Sequence, residues 1–250
     1  MKFRNSIRLG AIACLIMLFM GTAGVHADEA LDDLAGRIEY AFYVADSRSL
    51  MQSLQAMESL QVADADSEAR TGYLNYGRWK LAQLLAVNNP DKAQQWAQAC
   101  IESKTNARSD SALALHQAIV AACLATLEQL RPLRSVLYRH DREVAIAHAL
   151  QLGGKLVQVR LVAAWLEANR QSAAQTHVAI KQVVDQYSAT DAVADSRSPG
   201  WGYAEACYLL GKAELARGDL LATRDALEQA LVLAPEYRDA RQLLQSLNLK

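Results

Sequence analysis

His140, Glu143 and His148 form the closest-spaced group of potential metal ligands in the sequence. Two imidazoles and one carboxylate are a ligand set that a zinc ion accepts. The stretch has helical periodicity, so the separation of the two histidines corresponds to about 12 Å along a helix axis, too far to share one ion. The spacing argues against a metal centre, and no cofactor is expected. A metal-dependent hydrolase built on these residues is the alternative that the group leaves open.

The sequence lacks the common motifs of catalytic and phosphate-binding sites. There is no G-x-S-x-G nucleophile turn, no H-E-x-x-H zinc motif and no glycine loop that would cradle a phosphate. Lysine and arginine number 26 against 27 aspartate and glutamate residues, which gives a net charge of -1. Such a balance provides no basic field for a phosphate backbone, so nucleic acid is not an expected partner.

The composition predicts an all-α fold. Hydrophobic residues make up 52% of the chain, with only 12 glycines and 4 prolines, and long stretches are rich in alanine, leucine and glutamine. These residues lose little conformational freedom in a helix. Apolar residues recur at spacings of three and four, as in Leu31, Leu34, Ile38 and Phe42, and polar breaks divide the chain into helical hairpins.

Several sequence signals mark where helices begin and end. Asn89-Pro90 combines a cap residue with a proline at the first helical position, and Ser109 starts a strongly apolar helix. Pro132 ends that helix, and a short helix is expected from Leu133 to Tyr138. A further helical stretch from Asp141 to about Arg170 is expected to break or kink at Gly153-Gly154.

The first 27 residues have the organisation of a signal peptide. Lys2, Arg4 and Arg8 precede an apolar run from Leu9 to Val25, and small residues occupy the positions that signal peptidase reads before a cut after Ala27. The sequence therefore predicts a periplasmic or secreted protein. An uncleaved anchor in the inner membrane is the alternative, because the apolar run approaches the length of a membrane span.

Three cysteines follow the predicted cleavage site: Cys100, Cys123 and Cys207. Their odd number, wide spacing and helical context argue against a disulfide framework. The expected role is that of small buried apolar side chains, and one disulfide among the three is the alternative.

Residues 204–237 carry the one specific sequence signature of the chain. Leu210, Gly211 and Pro235 match a 34-residue helix–turn–helix pattern, Gly218 falls in the inter-helix turn, and Ala230 provides a small contact on the second helix. The segment resembles a tetratricopeptide repeat (TPR). The resemblance implies a hairpin in which Gly211 allows close helix packing and Pro235 stops the second helix.

The resemblance also implies a binding surface, because the first helix of each TPR hairpin lines a concave groove for a peptide or protein. It places three residues of the clear repeat on that groove, and three earlier residues are plausible equivalents on the third helix. This predicted partner groove consists of Glu205, Tyr208, Lys212, Tyr73, Tyr76 and Lys80. For the two tyrosines of the third helix, packing between hairpins is the alternative.

Together these features predict antiparallel hairpins stacked into a TPR-like α-solenoid. The expected organisation is a signal peptide at 1–27, degenerate hairpins over 28–187, a linker loop at 188–200, and a C-terminal TPR with a capping helix over 201–250. The expected function is that of an exported scaffold that binds a protein or peptide partner of the cell envelope. The alternatives are an envelope enzyme and a structural subunit of a homo-oligomer.

Overall fold

The computed structural model describes residues 22–105, 107–168, 173–190 and 200–247. Over these residues the chain folds into eleven α-helices and one short 3-10 helix, with no strand, which confirms the all-α prediction. The α-helices are α1 (Thr22–Tyr43), α2 (Ser47–Ser59), α3 (Ser67–Leu85), α4 (Pro90–Ile101), α5 (Asp110–Leu130), α6 (Ser135–Gly153), α7 (Val157–Ala168), α8 (Ala173–Thr190), α9 (Tyr203–Arg217), α10 (Leu220–Leu233) and α11 (Arg238–Leu247).

Two predicted segments fall largely outside this description. Residues 1–21 of the predicted signal peptide lie outside the described residues, and the first described helix begins at Thr22. Residues 191–199 of the predicted 188–200 loop also lie outside them. The loop was expected to begin at Ser188, but α8 continues to Thr190.

Side-chain caps determine where several helices begin. The Asp46 carboxylate accepts hydrogen bonds from two backbone N–H groups in the first turn of α2, and Ser109 and Asp219 cap α5 and α10 in the same way. Asn89 accepts from the backbone N–H of Lys92, with Pro90 in the first turn of α4, which confirms that predicted start. Each cap supplies a partner to an N–H that the helix itself leaves unbonded.

Successive helices pack against one another along the chain. In addition, α1 contacts α3, α3 contacts α5, and α5 contacts α7. The largest core cluster runs through these helices and includes Ile38, Leu54, Ile119 and Val162. Alanine is frequent where α5 is buried, and small side chains allow neighbouring helix axes to approach closely.

Helix α5 begins and ends where the sequence predicts, after Ser109 and before Pro132, whereas α6 differs from the expectation. The short helix expected to end at Tyr138 instead continues to Gly153, because no residue between Ser135 and Gly153 interrupts the helix. The break expected at Gly153-Gly154 is present: α6 ends there, and a Cβ on Gly153 would lie 2.5 Å from the Cβ of Ala114. Among the described helices, only α5 is long and apolar enough to cross a membrane, and 61% of its apolar window is buried in the fold.

The C-terminal hairpin consists of α9 and α10. Gly218 ends α9 in the left-handed conformation (φ 82°), which glycine adopts without steric cost, and its N–H bonds back to the last turn. A Cβ on Gly211 would lie 2.9 Å from the side chain of Leu227, so the two helices pack closely at this point. Leu210 is partly buried and Ala230 is fully buried, and Pro235 follows the end of α10.

The cysteines do not all remain free. Cys100 of α4 and Cys123 of α5 form a disulfide, whereas Cys207 of α9 is free and buried. The expectation of three free cysteines is therefore wrong for two of them. Spacing alone could not reveal the pair, because the register between α4 and α5 decides whether the two side chains meet.

Candidate functional site

A buried ion pair joins α3 to α9. The Lys80 ammonium donates to Oε2 of Glu205, and the Tyr76 hydroxyl donates to Oε1 of the same carboxylate over 2.7 Å. All three side chains are buried. Both carboxylate oxygens therefore have a donor, which is what a buried charge needs to avoid a large desolvation cost.

Aromatic rings surround the Lys80 ammonium. Its Nζ lies 3.5 Å from the ring centroid of Trp79 and 4.7 Å from that of Phe42. Ring faces carry partial negative charge and attract a cation, more strongly where water is excluded. Burial lowers the pKa of Lys80, and the neighbouring Glu205 opposes that change. Only 1% of the Lys80 surface is exposed, so its contact with Glu205 joins α3 to α9 in the interior of the fold.

A second carboxylate, Glu39 of α1, lies near this pair. Burial, together with the charge of Glu205, raises the pKa of Glu39 to about 7, while Lys80 acts in the opposite direction. Two carboxylates near one ammonium cannot both be fully compensated. Glu39 therefore takes up a proton within the neutral range.

Aromatic side chains in contact extend from the ion pair towards the C-terminal helices. The rings of Tyr76 and Trp201 stack with centroids 4.5 Å apart. The Tyr237 ring contacts Tyr43 at 4.8 Å and Tyr208 at 5.2 Å. These contacts connect α3 with the turn before α9, and α1 with α9 and the turn before α11. The Lys80 ammonium lies near a ring of each group, Tyr76 and Phe42, and the two groups together are called the aromatic cluster.

The turn that leads into α9 fits closely into this cluster. The Tyr187 hydroxyl donates to the backbone carbonyl of Trp201 over 2.9 Å, and the next residue, Gly202, has a φ of 108°. A Cβ at Gly202 would lie 2.5 Å from the Tyr187 hydroxyl and 2.6 Å from the side chain of Leu161. Only glycine satisfies both the backbone conformation and the available space.

The predicted partner groove divides into buried and accessible residues. Tyr76, Lys80 and Glu205 contact one another in the interior, so their side chains are not available to a partner in this conformation. For Tyr76, this arrangement corresponds to the alternative in which it packs between hairpins. Tyr73 is half-buried, and burial raises its pKa to about 12.

Tyr208 and Lys212 remain nearer to the surface of α9. Tyr208 is half-buried, and Lys212 is exposed with its Nζ 5.7 Å from the Tyr208 ring centroid. The Tyr208 ring also rests on buried Tyr237, which fixes it against the aromatic cluster. Tyr208 and Lys212 together present an aromatic ring with a fixed position and an exposed positive charge.

The potential metal ligands do not converge. His140, Glu143 and His148 are exposed on α6, and the described residues contain no group of three or more histidine, cysteine, aspartate or glutamate side chains that could hold an ion. Two neighbouring arginines, Arg139 and Arg142, instead pair with Glu128 of α5.

An open groove of about 740 Å³ lies on the surface between α1 and α2. Its polar lining includes Asp33, Arg37, Ser49 and Gln52, and Asp33 and Arg37 form an ion pair one turn apart. None of the six predicted partner-groove residues lines it.

Sequence reasoning missed the roles of Glu39, Phe42, Trp201 and Tyr237. A signal existed for part of the cluster, because Lys80 stands between Trp79 and Leu81-Ala82, and a lysine among apolar residues needs an anionic partner if it is buried. The identity of that partner depends on how α9 packs against α3. Comparison with protein-family models, curated proteins and solved structures finds no match to the chain.

Proposed function

We propose that this protein is an exported helical-repeat scaffold that binds a protein or peptide partner in the cell envelope. The observation that carries the proposal is the combination of a rigidly braced interior with an accessible Tyr208–Lys212 surface on α9. A tyrosine that is already held in place loses little conformational entropy on binding, so its contact area contributes efficiently to affinity.

The order of helix contacts supports a repeat architecture. Helices α1, α3, α5 and α7 form a series in which each contacts the next, while the intervening helices pack beside them. Stacked hairpins bury their apolar faces in this manner. The resemblance of residues 204–237 to a TPR extends the same proposal to α9 and α10, with α11 as the terminal cap.

The disulfide supports export. Disulfides persist in oxidising compartments such as the periplasm and are rare in the reducing cytosol. A bond between Cys100 and Cys123 therefore agrees with the signal-peptide pattern of residues 1–27. The proposed compartment is the periplasm or the extracellular space.

The ion pair supports the proposed scaffold role. Lys80 and Glu205 join helices that are far apart in sequence, and the aromatic contacts of Tyr76 and Tyr237 keep α9 in a fixed position. We therefore assign Tyr208, Lys212 and the accessible part of Tyr73 to direct partner contact. Tyr76, Lys80 and Glu205 maintain the shape of that surface from within.

Crosslinking and affinity capture from the cell envelope test the proposal. Lys212→Glu reverses the exposed charge, and Tyr208→Ala removes the aromatic contact, so each change is expected to reduce the recovery of a specific partner at least tenfold. Lys92→Glu is the matched control, because Lys92 is exposed in the first turn of α4, where an acidic residue favours the helix.

Two results would contradict the proposal. One is the recovery of the same proteins in the same amounts with wild type and Lys212→Glu. The other is fractionation of the protein with the cytosol, with residues 1–27 retained and Cys100 and Cys123 reduced. Thermal unfolding of each variant separates loss of the binding surface from loss of the fold.

A further inference from the structure

Helix α6 and the 3-10 helix before it present a row of exposed apolar side chains. Leu133 is 102% exposed, Val136 74%, Leu137 67% and Val144 57%. The opposite side of α6 is buried through Arg142, Ala145, Ala149 and Gly153. The exposed row therefore follows one side of the helix, with the exposed His140 between Leu137 and Val144. Apolar surface that is left open on one helix face in this way marks an interaction site.

Two opposite charges flank this row without a partner in the described part of the chain. Arg134 and Asp141 are both exposed, and neither forms an ion pair there, whereas nearby Arg139 and Arg142 pair with Glu128. Arg134 ends the 3-10 helix and Asp141 lies in α6, so the segment between them spans about 10 Å at the rise of a helix. Leu137 lies between them on the same flank of the helix.

We infer that this surface binds the same surface of a second copy of the protein, with the two α6 helices antiparallel. A two-fold axis beside Leu137 brings Arg134 of each copy opposite Asp141 of the other copy. The pairing forms twice because a two-fold interface is self-complementary. Along the centre, the two Leu137 side chains meet, and Leu133 of each copy lies towards Val144 of the other.

Charge complementarity selects a second copy over an unrelated partner. A partner of different sequence would need an acidic group and a basic group at the matching separation and in the reversed order, which a second α6 supplies by symmetry. The two ion pairs lie at the rim, so they fix the register of the helices more than they add to affinity. The apolar row supplies the main attraction.

Charge reversal gives a direct test by sedimentation velocity over a concentration series. Arg134→Asp and Asp141→Arg each place like charges opposite one another twice, so each variant alone is expected to dimerise at least tenfold more weakly than wild type. An equimolar mixture of the two variants restores both ion pairs between unlike chains. It is therefore expected to form a heterodimer with close to wild-type affinity.

Leu137→Asp tests the apolar centre and is expected to leave the protein monomeric. Leu221→Asp is the control, since it removes an exposed leucine in the first turn of α10, on a different helix. The proposal is overturned if wild type is monomeric throughout the series, if Leu137→Asp leaves a dimer intact, or if the mixture associates no better than either variant alone. The outcome does not depend on whether Lys212 binds a partner.

Discussion

Lys80 and Glu205 lie 125 residues apart in sequence and form one buried ion pair. The pair joins α3 to α9, and the Tyr76 hydroxyl bonds the second carboxylate oxygen. The rings of Trp79 and Phe42 lie beside the buried ammonium. The contact between early and late helices therefore depends on electrostatics inside an aromatic environment.

Removing one partner of this pair should destabilise the protein strongly. Lys80→Met leaves the Glu205 carboxylate buried with only Tyr76 as a donor. Glu205→Gln removes the carboxylate that the ammonium bonds, and only the weaker charge interaction with Glu39 remains. Each change is expected to lower the free energy of unfolding by about 3–5 kcal/mol, because an uncompensated charge stays buried. Urea denaturation followed by circular dichroism measures the loss.

The double variant Lys80→Met/Glu205→Gln distinguishes the ion pair from general packing. With both charges removed, the expected loss is smaller than that of either single change, since neither member of the ion pair is left buried without the other. Losses that simply add in the double variant would show that the two residues act independently. That result would contradict the proposed bracing role of the pair.

Glu39 should make stability depend on pH. Its pKa is raised from 4.5 to about 7 in the folded protein, so the folded state binds a proton more readily than the unfolded state. The stabilising contribution of the protonated form is full below about pH 4.5 and is lost as pH rises to about 7. Glu39→Gln stays neutral at every pH. As pH rises from 5 to 8, this variant should therefore become more stable than wild type, by up to about 3 kcal/mol.

The free energies of unfolding of wild type and Glu39→Gln, measured at pH 5 and at pH 8, check this expectation. Glu228→Gln, an exposed change on α10, serves as the control and should leave the pH dependence of wild type unchanged. If Glu39→Gln and wild type lose the same stability between pH 5 and pH 8, the proton uptake assigned to Glu39 is incorrect. The groups that face Glu39 are Glu205 and Lys80, so neither should be altered in this experiment.

The Cys100–Cys123 disulfide should be measurable by its effect on stability. The bond closes a loop with a sequence separation of 23. Its reduction is expected to lower the free energy of unfolding by about 3 kcal/mol, mainly because the unfolded chain regains freedom. Cys100→Ala/Cys123→Ala should reproduce the loss and should be insensitive to reducing agent.

In protein processed after Ala27, thiol titration gives an independent count of the free cysteines. Cys207 is buried, and burial raises its pKa to about 12, so no thiol should react in the folded state. Unfolding without reductant should expose one thiol, and unfolding with reductant should expose all three. Three reactive thiols in the absence of reductant would show that the disulfide does not form.

Local sequence signals were sufficient for the fold class and for several helix boundaries. Asn89 and Ser109 act within their own turns, so their effects can be inferred without the rest of the structure. The boundary at Tyr138 was wrong because the sequence after Pro132 has no second break until Gly153. A helix boundary inferred from spacing alone has little support where no cap residue or glycine is present.

The candidate site was less predictable because its contacts are long-range. The TPR resemblance selected Tyr76, Lys80 and Glu205 as groove residues, but could not indicate that they would meet one another. Their contact depends on the position of α9 relative to α3, which no local pattern encodes. The same limitation applies to the Cys100–Cys123 pair, whose geometry follows from the packing of α4 against α5.

Gly202→Ala should test the turn that brings α9 into the aromatic cluster. The φ of 108° is unfavourable for alanine, and the added Cβ would lie 2.5 Å from the Tyr187 hydroxyl. The expected loss is about 2–4 kcal/mol, from backbone strain together with overpacking. Gly36→Ala is the matched control: Gly36 lies in α1 with nothing within 4 Å of a new Cβ, so the change should stabilise the helix by about 0.5–1 kcal/mol. Thermal unfolding should therefore show opposite shifts for the two changes, and a Gly202→Ala protein as stable as wild type would mean that the turn does not hold α9 in place.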